Sequence, residues 1–240
     1  AHDLVRYEKG WRYGEGSARL VARPRTHEEV AECVRLCNEH GVRVQPAGAN
    51  TGLVGASTPD GSGQMIVLSL ERLSRITNID DANGSVEVEG GVLLSALNET
   101  LKERGRSFPI DLGADPQIGG MVATNTGGSR LVRYGDVRAN LLGLRVVLPD
   151  GSTWSDLRGL RKNNTGLDAK QLFVGTSGAF GIVTGAVLRT WPLPGQRAGA
   201  LVEAESGDAV VRLFEALEPR LRSEEHTSEL QSHSDLVCRL

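Results

Sequence analysis

Aromatic side chains make up only 4% of the 240 residues, and cysteine and histidine number three and five. So few aromatics leave no base-stacking platform for single-stranded nucleic acid. A formal net charge of −3 supplies neither the basic footprint of a nucleic-acid binder nor a polybasic membrane anchor. Cys33, Cys37 and Cys238 form no C-x-x-C pair, so zinc has no signature here. The thiols read as packing residues in a reducing compartment. No apolar run is long enough to cross a membrane, and "AHDLVRYEKG" does not read as a signal peptide. A cytoplasmic protein is the expectation. The first residue is Ala1 rather than Met, which reads as a fragment. There is no G-x-x-x-x-G-K-[ST], and no G-x-G-x-x-G between a strand and a helix, so neither a P-loop nor a Rossmann site is expected.

Glycine is what the chain has in excess, at 30 residues. It suits places where backbone must approach backbone or ligand. The rest of the pattern is that of a mixed fold. "RPRTHEEVAECVRLCNEHGV" predicts a helix with Thr26 as N-cap, Glu29 completing a capping box, Val30, Val34 and Cys37 on the apolar face, and Gly41 past the end. Strands are expected at 42–46, 65–70 and 85–92, the last broken at Gly90-Gly91, with a helix over 93–105 closed by Gly105. Residues 141–154 read as strand, Pro-Asp-Gly turn, strand, and 181–194 as a strand ending at two prolines. No regular βαβ repeat appears, so the expected class is α+β. After Gly195 a strand at 197–206 and a helix at 207–221 resemble the opening of a second domain. Residues 222–240 turn Ser/Glu/His-rich with no apolar period until their last residues. This tail resembles a recurrent translated sequencing-adapter artefact and is read as foreign to the protein. Its two histidines share no ligand spacing, and no metal site is expected.

Three segments concentrate glycine with small hydroxyl and amide residues: "PAGANTGLVGAS" (46–57), "DLGADPQIGGMVATNTGG" (111–128) and "GTSGAFGIVTG" (175–185). The first has no carboxylate, histidine or cysteine, so it cannot do acid–base or nucleophilic chemistry. Its usable chemistry is its amides, which bind anions, phosphates above all. Any one such segment can be a set of tight turns. Three of them, each long, favour a shared ligand.

On these segments, together with "RPRTHEEV", "RYGDV", "LGLRVVLPDGS" and "LRKNNTGLDAKQLFVGTSGAFGIVT", the chain resembles the FAD-linked oxidases with a PCMH-type (vanillyl-alcohol-oxidase-like) flavin domain. Within that group it most resembles the D-2-hydroxyglutarate and D-lactate dehydrogenases. The matches fall in order from residue 17 to 194. The resemblance implies a two-lobed α+β FAD-binding domain over 17–194, the start of a truncated substrate domain over 195–222, and a non-native tail over 223–240. It implies FAD, held non-covalently because no His or Cys lies in the three segments. Pro46, Ala47, Gly48, Ala49, Asn50, Thr51, Gly52, Leu53 and Ser57 would wrap the pyrophosphate. Pro109, Asp111, Leu112, Gly113, Ile118, Gly119, Gly120, Ala123, Thr124, Asn125 and Gly127 would line the flavin and ribityl side. Gly178, Gly181, Ile182 and Val183 would approach the adenosine end.

Three residues depart from the family pattern. Ala49 stands where Gly is usual; a positive φ there would cost Ala on the order of 1 kcal/mol, and Ala49→Gly would then tighten FAD binding or leave it unchanged. Ser177 replaces a usual Glu, and Met121 a usual Asn. The implied reaction is oxidation of a 2-hydroxy acid, with electrons passing on to an acceptor the sequence does not identify. The base, metal and carboxylate-binding groups are expected in the second domain. No histidine lies in a Gly-rich segment, and Arg130, Arg133 and Arg161 read first as structural or solvated, so no catalytic residue is assigned. The alternatives are a catalytically incomplete flavin-binding module, a glycolate-oxidase-type subunit and a cell-wall enolpyruvyl reductase. Oligomeric state is not legible.

Overall fold

The computed structural model describes residues 4–195, 200–221, 229–231 and 237–239. His2, His226, His233 and most of the tail lie outside them. A short helix α1 (Val5–Glu8) and strand β1 (Ala18–Ala22) lead into α2 (His27–Glu39). The Thr26 hydroxyl accepts from the Glu29 amide at 3.2 Å, as the sequence predicts. The Glu29 carboxylate reaches back to the Arg25 amide rather than to that of Thr26. The helix ends at Gly41, whose φ of 62° only glycine adopts without cost. Strands β2 (Val44–Ala47) and β3 (Met65–Ser69) then complete a parallel sheet of order β1-β3-β2.

The second lobe begins with the hairpin β4 (Ile76–Asp80) and β5 (Ser85–Glu89). Helix α3 (Leu94–Lys102), the two-residue strand β6 (Arg106–Ser107), and helices α4 (Ile118–Thr124), α5 (Leu131–Tyr134) and α6 (Val137–Asn140) follow. The strand–turn–strand expected over 141–154 is β7 (Leu141–Val147) and β8 (Thr153–Asp156). A one-turn 3₁₀ helix (Ala169–Leu172) precedes β9 (Ile182–Arg189) and β10 (Trp191–Pro192), which pairs with β6. The large sheet is antiparallel with order β4-β5-β9-β7-β8, so the last of these strands to be made sits in the middle. Beyond it come β11 (Ala200–Leu201) and α7 (Gly207–Leu221), where the sequence predicts a strand and a helix. Strands β12 (Glu229–Gln231) and β13 (Val237–Arg239) join β11 in a small antiparallel sheet. The absence of an apolar period hid β12, because pairing of so short a piece rests on backbone hydrogen bonds.

Alternation along the strands divides the interior. Leu144 and Val146 of β7, with Val86, Val88, Ala186 and Leu188, face Leu97 and Leu101 of α3 and Ile118 and Val122 of α4. Val147 and Ile182 belong to a second cluster with Val30 and Val34 of α2 and Leu68, Leu70 and Leu73 of the first lobe. Helix α2 is thus the wedge that joins the parallel sheet to the large one. Met121, where the resemblance expects Asn, is 1% exposed in the larger cluster and packs there as a hydrophobe.

His27, in the first turn of α2, is held between the two lobes. Its Nδ1 lies 2.6 Å from Thr184 Oγ1 and its Nε2 3.0 Å from Thr153 Oγ1. Burial, and then the nearby Arg145 guanidinium, push its pKa below the usual 6.5. The folded state therefore favours neutral imidazole. Above pH 6.5 neither state binds the proton; as pH falls from there towards the folded value, the unfolded chain takes it up first and stability drops. The expected slope is at most about 1.4 kcal/mol per pH unit. Urea unfolding between pH 8 and 5 should show it in the parent chain, and a flatter profile in His27→Gln.

Candidate functional site

Segment 46–57 starts at the end of β2 and is pinned at both sides. Pro46 and Ala47 pair with Leu68 and Ser69 of β3. Asn50, at φ 55°, turns its side chain back to the carbonyl of Lys9 and accepts from Ser57 Oγ at 2.6 Å. Positive φ therefore falls on Asn50, a residue that tolerates it, and not on Ala49. The strain expected at Ala49 is absent, so Ala49→Gly has nothing to relieve and adds only chain entropy to the unfolded state. Gly48 to Thr51 and Ser57 are half-buried, whereas Gly52 and Leu53 point to solvent.

Two cavities flank the start of this segment. One, of about 690 Å³, is lined by Gly48, Ala49, Asn50, Arg6, Glu71 and Gln117 among others. The other, of about 410 Å³, is lined by Pro46 together with Ser177, Gly178, Gly181, Ile182 and Cys37. The third Gly-rich segment thus meets the first: a Cβ on Gly178 would lie 3.6 Å from Pro46 Cγ. The second meets the first through Gln117, whose Oε1 would be 3.2 Å from a Cβ on Gly48. The second and third are tied by backbone hydrogen bonds, from the Ser177 amide to the Ala123 carbonyl at 2.7 Å and from the Gly175 amide to the Val122 carbonyl at 3.2 Å.

Not every expected site residue stands free for a ligand. Gly119 is consumed by packing: its amide donates to Gly90 O at 2.7 Å, and a Cβ there would lie 2.9 Å from both the Gly90 and Val183 carbonyls. Asn125 caps α4 at φ 50°; its amide nitrogen donates to Asp136 and its oxygen accepts from the Arg138 backbone amide. Asp111 pairs with Arg130 at 3.2 Å, and Leu112 packs on the core. Gly113 and Thr124 are exposed, and Gly120 and Gly127 half-buried, outside both cavities. Pro109 and Val183 are buried, also outside both cavities.

Tyr7, Glu71 and Gln117 carry no sequence signal that would include them in the site. The Tyr7 hydroxyl donates to Glu71 at 2.8 Å. Burial, and next the Glu71 carboxylate, hold the phenol above its usual pKa, so it stays a donor. Glu71 is also paired with Arg6 and Arg23. It is the one carboxylate among the residues lining the two cavities. Among the described residues, no three His, Cys, Asp or Glu side chains come together as metal ligands.

An elongated dinucleotide fits this arrangement. Its diphosphate needs backbone with few side chains and few carboxylates, which is the composition of 46–52, and its two ends need room on either side. Gly48 leaves open the space that any Cβ would take beside Gln117. The residues present therefore fit FAD.

Two substitutions separate packing from binding. Gly119→Ala should destabilise by about 1–3 kcal/mol, because its Cβ meets carbonyl oxygens that cannot move aside. Ser177 sits exposed at φ 53°. Ser177→Gly should stabilise by about 0.5–1 kcal/mol, the left-handed cost less the entropy of glycine. Urea midpoints at constant slope would measure both.

Comparison with known proteins identifies the family. The chain is 44% identical over 181 residues to the mitochondrial D-2-hydroxyglutarate dehydrogenase of Bos taurus, covering 75% of this chain and 33% of that protein. It is 34% identical over 239 residues to the D-2-hydroxyglutarate–pyruvate transhydrogenase of Saccharomyces cerevisiae, covering 98% of this chain and 48% of that one. The chain thus spans a third to a half of the curated relatives it matches. A solved structure of alkyldihydroxyacetonephosphate synthase superimposes with a TM-score of 0.67 at 26% identity, over 75% of this chain and 32% of that one. Residues 18–155 match the family described as FAD binding domain, and the chain belongs to that family of FAD-binding proteins.

Proposed function

We propose that the chain is the flavin-binding part of an oxidoreductase that oxidises a 2-hydroxy acid of the D-2-hydroxyglutarate or D-lactate class. The observation that carries the reading is the meeting of three amide-rich segments around Pro46–Asn50, between two cavities. The names of the relatives supply the substrate class. When bound, FAD supplies the two-electron acceptor for such an oxidation. This chain's residues would hold it: 46–52 at the diphosphate, the 118–125 region toward the riboflavin side, and Gly178, Gly181 and Ile182 at the adenosine end. Attachment is non-covalent in this reading, since neither His nor Cys occurs in the three segments. Cys37 reaches the second cavity, but burial raises its thiol pKa and keeps it an unreactive neutral group.

Residues 17–194 form the FAD-binding unit in this proposal, 195–222 the start of a substrate domain and 223–240 a foreign tail. No described helix is long and apolar enough to cross a membrane. The free thiols Cys33 and Cys37 support a reducing compartment, and the proposed one is the cytoplasm, although the bovine relative is named mitochondrial.

A second reading has support of its own: this chain alone is a flavin-binding module without turnover. His27 is locked between two threonines and His40 caps α2, so neither stands at the cavities as a base. General-base help is worth about 10²–10⁴ in rate. The chain should quench FAD fluorescence on titration, and Gly48→Val should weaken that binding at least tenfold, because a branched side chain would fill the space beside Gln117. Unchanged affinity in Gly48→Val would remove segment 46–52 from the cofactor site. Mixed anaerobically with D-2-hydroxyglutarate, D-lactate or glycolate, the FAD-loaded chain should keep its flavin absorbance. Bleaching at an enzyme-like rate would put catalytic groups inside this chain.

A further inference from the structure

Gln117 is the residue before α4, and it is 5% exposed. Its Oε1 is buried and accepts no hydrogen bond. The same side chain lines the 690 Å³ cavity beside Gly48, Ala49 and Asn50, and it is the only member of the second Gly-rich segment that does. A buried amide oxygen without a partner is costly, and nearly all such groups in native proteins are paired. The surrounding backbone explains why no protein donor reaches it. Gly48 offers no side chain to pair with it, and a Cβ there would crowd Oε1 at 3.2 Å.

We propose that the Gln117 carboxamide binds the cofactor, accepting a hydrogen bond from a hydroxyl of its ribityl or ribose chain next to the diphosphate. The inference rests on the FAD reading of the cavity. A diphosphate is acceptor-only at neutral pH and cannot satisfy Oε1, whereas the polyol carbons on either side of it carry hydroxyl donors. The assignment also gives Gln117 a geometric task. It reaches from the second segment to the phosphate loop, so a ligand bonded to it is held by both lobes at once.

The test compares the full chain with Gln117→Leu and Gln117→Met, which keep the volume and remove the polar atoms. FAD is titrated by fluorescence quenching, and the unfolding temperature is recorded without and with FAD. FMN and ADP serve as shorter probes, the first carrying the ribityl hydroxyls and the second the ribose. The expected result is a Kd for FAD raised about 3- to 10-fold, the worth of one net hydrogen bond. The unfolding temperature of the FAD-free chain should stay unchanged or rise, because an unpaired buried oxygen has been removed. Loss of affinity for FMN alone assigns the ribityl chain, and loss for ADP alone assigns the ribose. Affinity for FAD within twofold of the parent in both variants would overturn the proposal. So would an FAD-free unfolding temperature lowered in both, which would make Gln117 a structural prop for the loop. Failure of the parent chain itself to bind FAD would sink the cofactor reading and this inference with it.

Discussion

The structure depends on how closely four pieces of backbone approach one another where the lobes join. A Cβ on Gly91 would fall 1.9 Å from the Leu70 carbonyl oxygen, one on Gly90 2.3 Å from that of Val183, and one on Gly119 2.9 Å from the carbonyls of both Gly90 and Val183. Hydrogen bonds from the Gly91 amide to Leu73 O and from the Gly119 amide to Gly90 O run through the same point. The end of β5, the start of β9, helix α4 and the turn after β3 are thereby stitched at main-chain distance. That stitch sets α4 against β9, places Gln117 over Gly48, and brings Ser177 under Ala123.

The glycine-rich composition therefore serves two purposes that look the same in a sequence. Gly48 and Gly178 keep space open beside the cavities, while Gly90, Gly91 and Gly119 close space between elements. Gly119 and Gly120 are neighbours, yet only the first meets other atoms at a Cβ position. The difference arises from which side of a helix faces the sheet.

Much of the architecture was legible beforehand because its signals are local. The cap at Thr26, the glycine after α2, the Pro-Asp-Gly turn between β7 and β8, and the apolar face of α3 all act within a few residues. The three segments of the site were legible by composition. What could not be read was contact between distant segments. Tyr7 and Glu71 are 64 positions apart, and Gln117 carries no pattern that separates it from a surface glutamine. At 49–50 the left-handed conformation falls on Asn50 and not on Ala49. Left-handed backbone can be taken by an Asn whose side chain bonds back to the main chain, so the demand for glycine at Ala49 disappears. Asn125, chosen for a ligand, is occupied in the same way by the turn it caps.

The position of β9 bears on how the chain is made. It is the central strand of the large sheet, between β5 and β7, but it is the last of the five to leave a ribosome. Until residues 182–189 emerge, the two hairpins β4–β5 and β7–β8 have no strand to join them, and each presents an open edge. Open edges invite pairing with other chains, and closing a sheet by such distant contacts is slow. Ile182 also completes the cluster under α2, so the first lobe gains its support at the same late moment. Synthesis up to the middle of the third Gly-rich segment thus leaves two unfinished sheets, and the next handful of residues closes both.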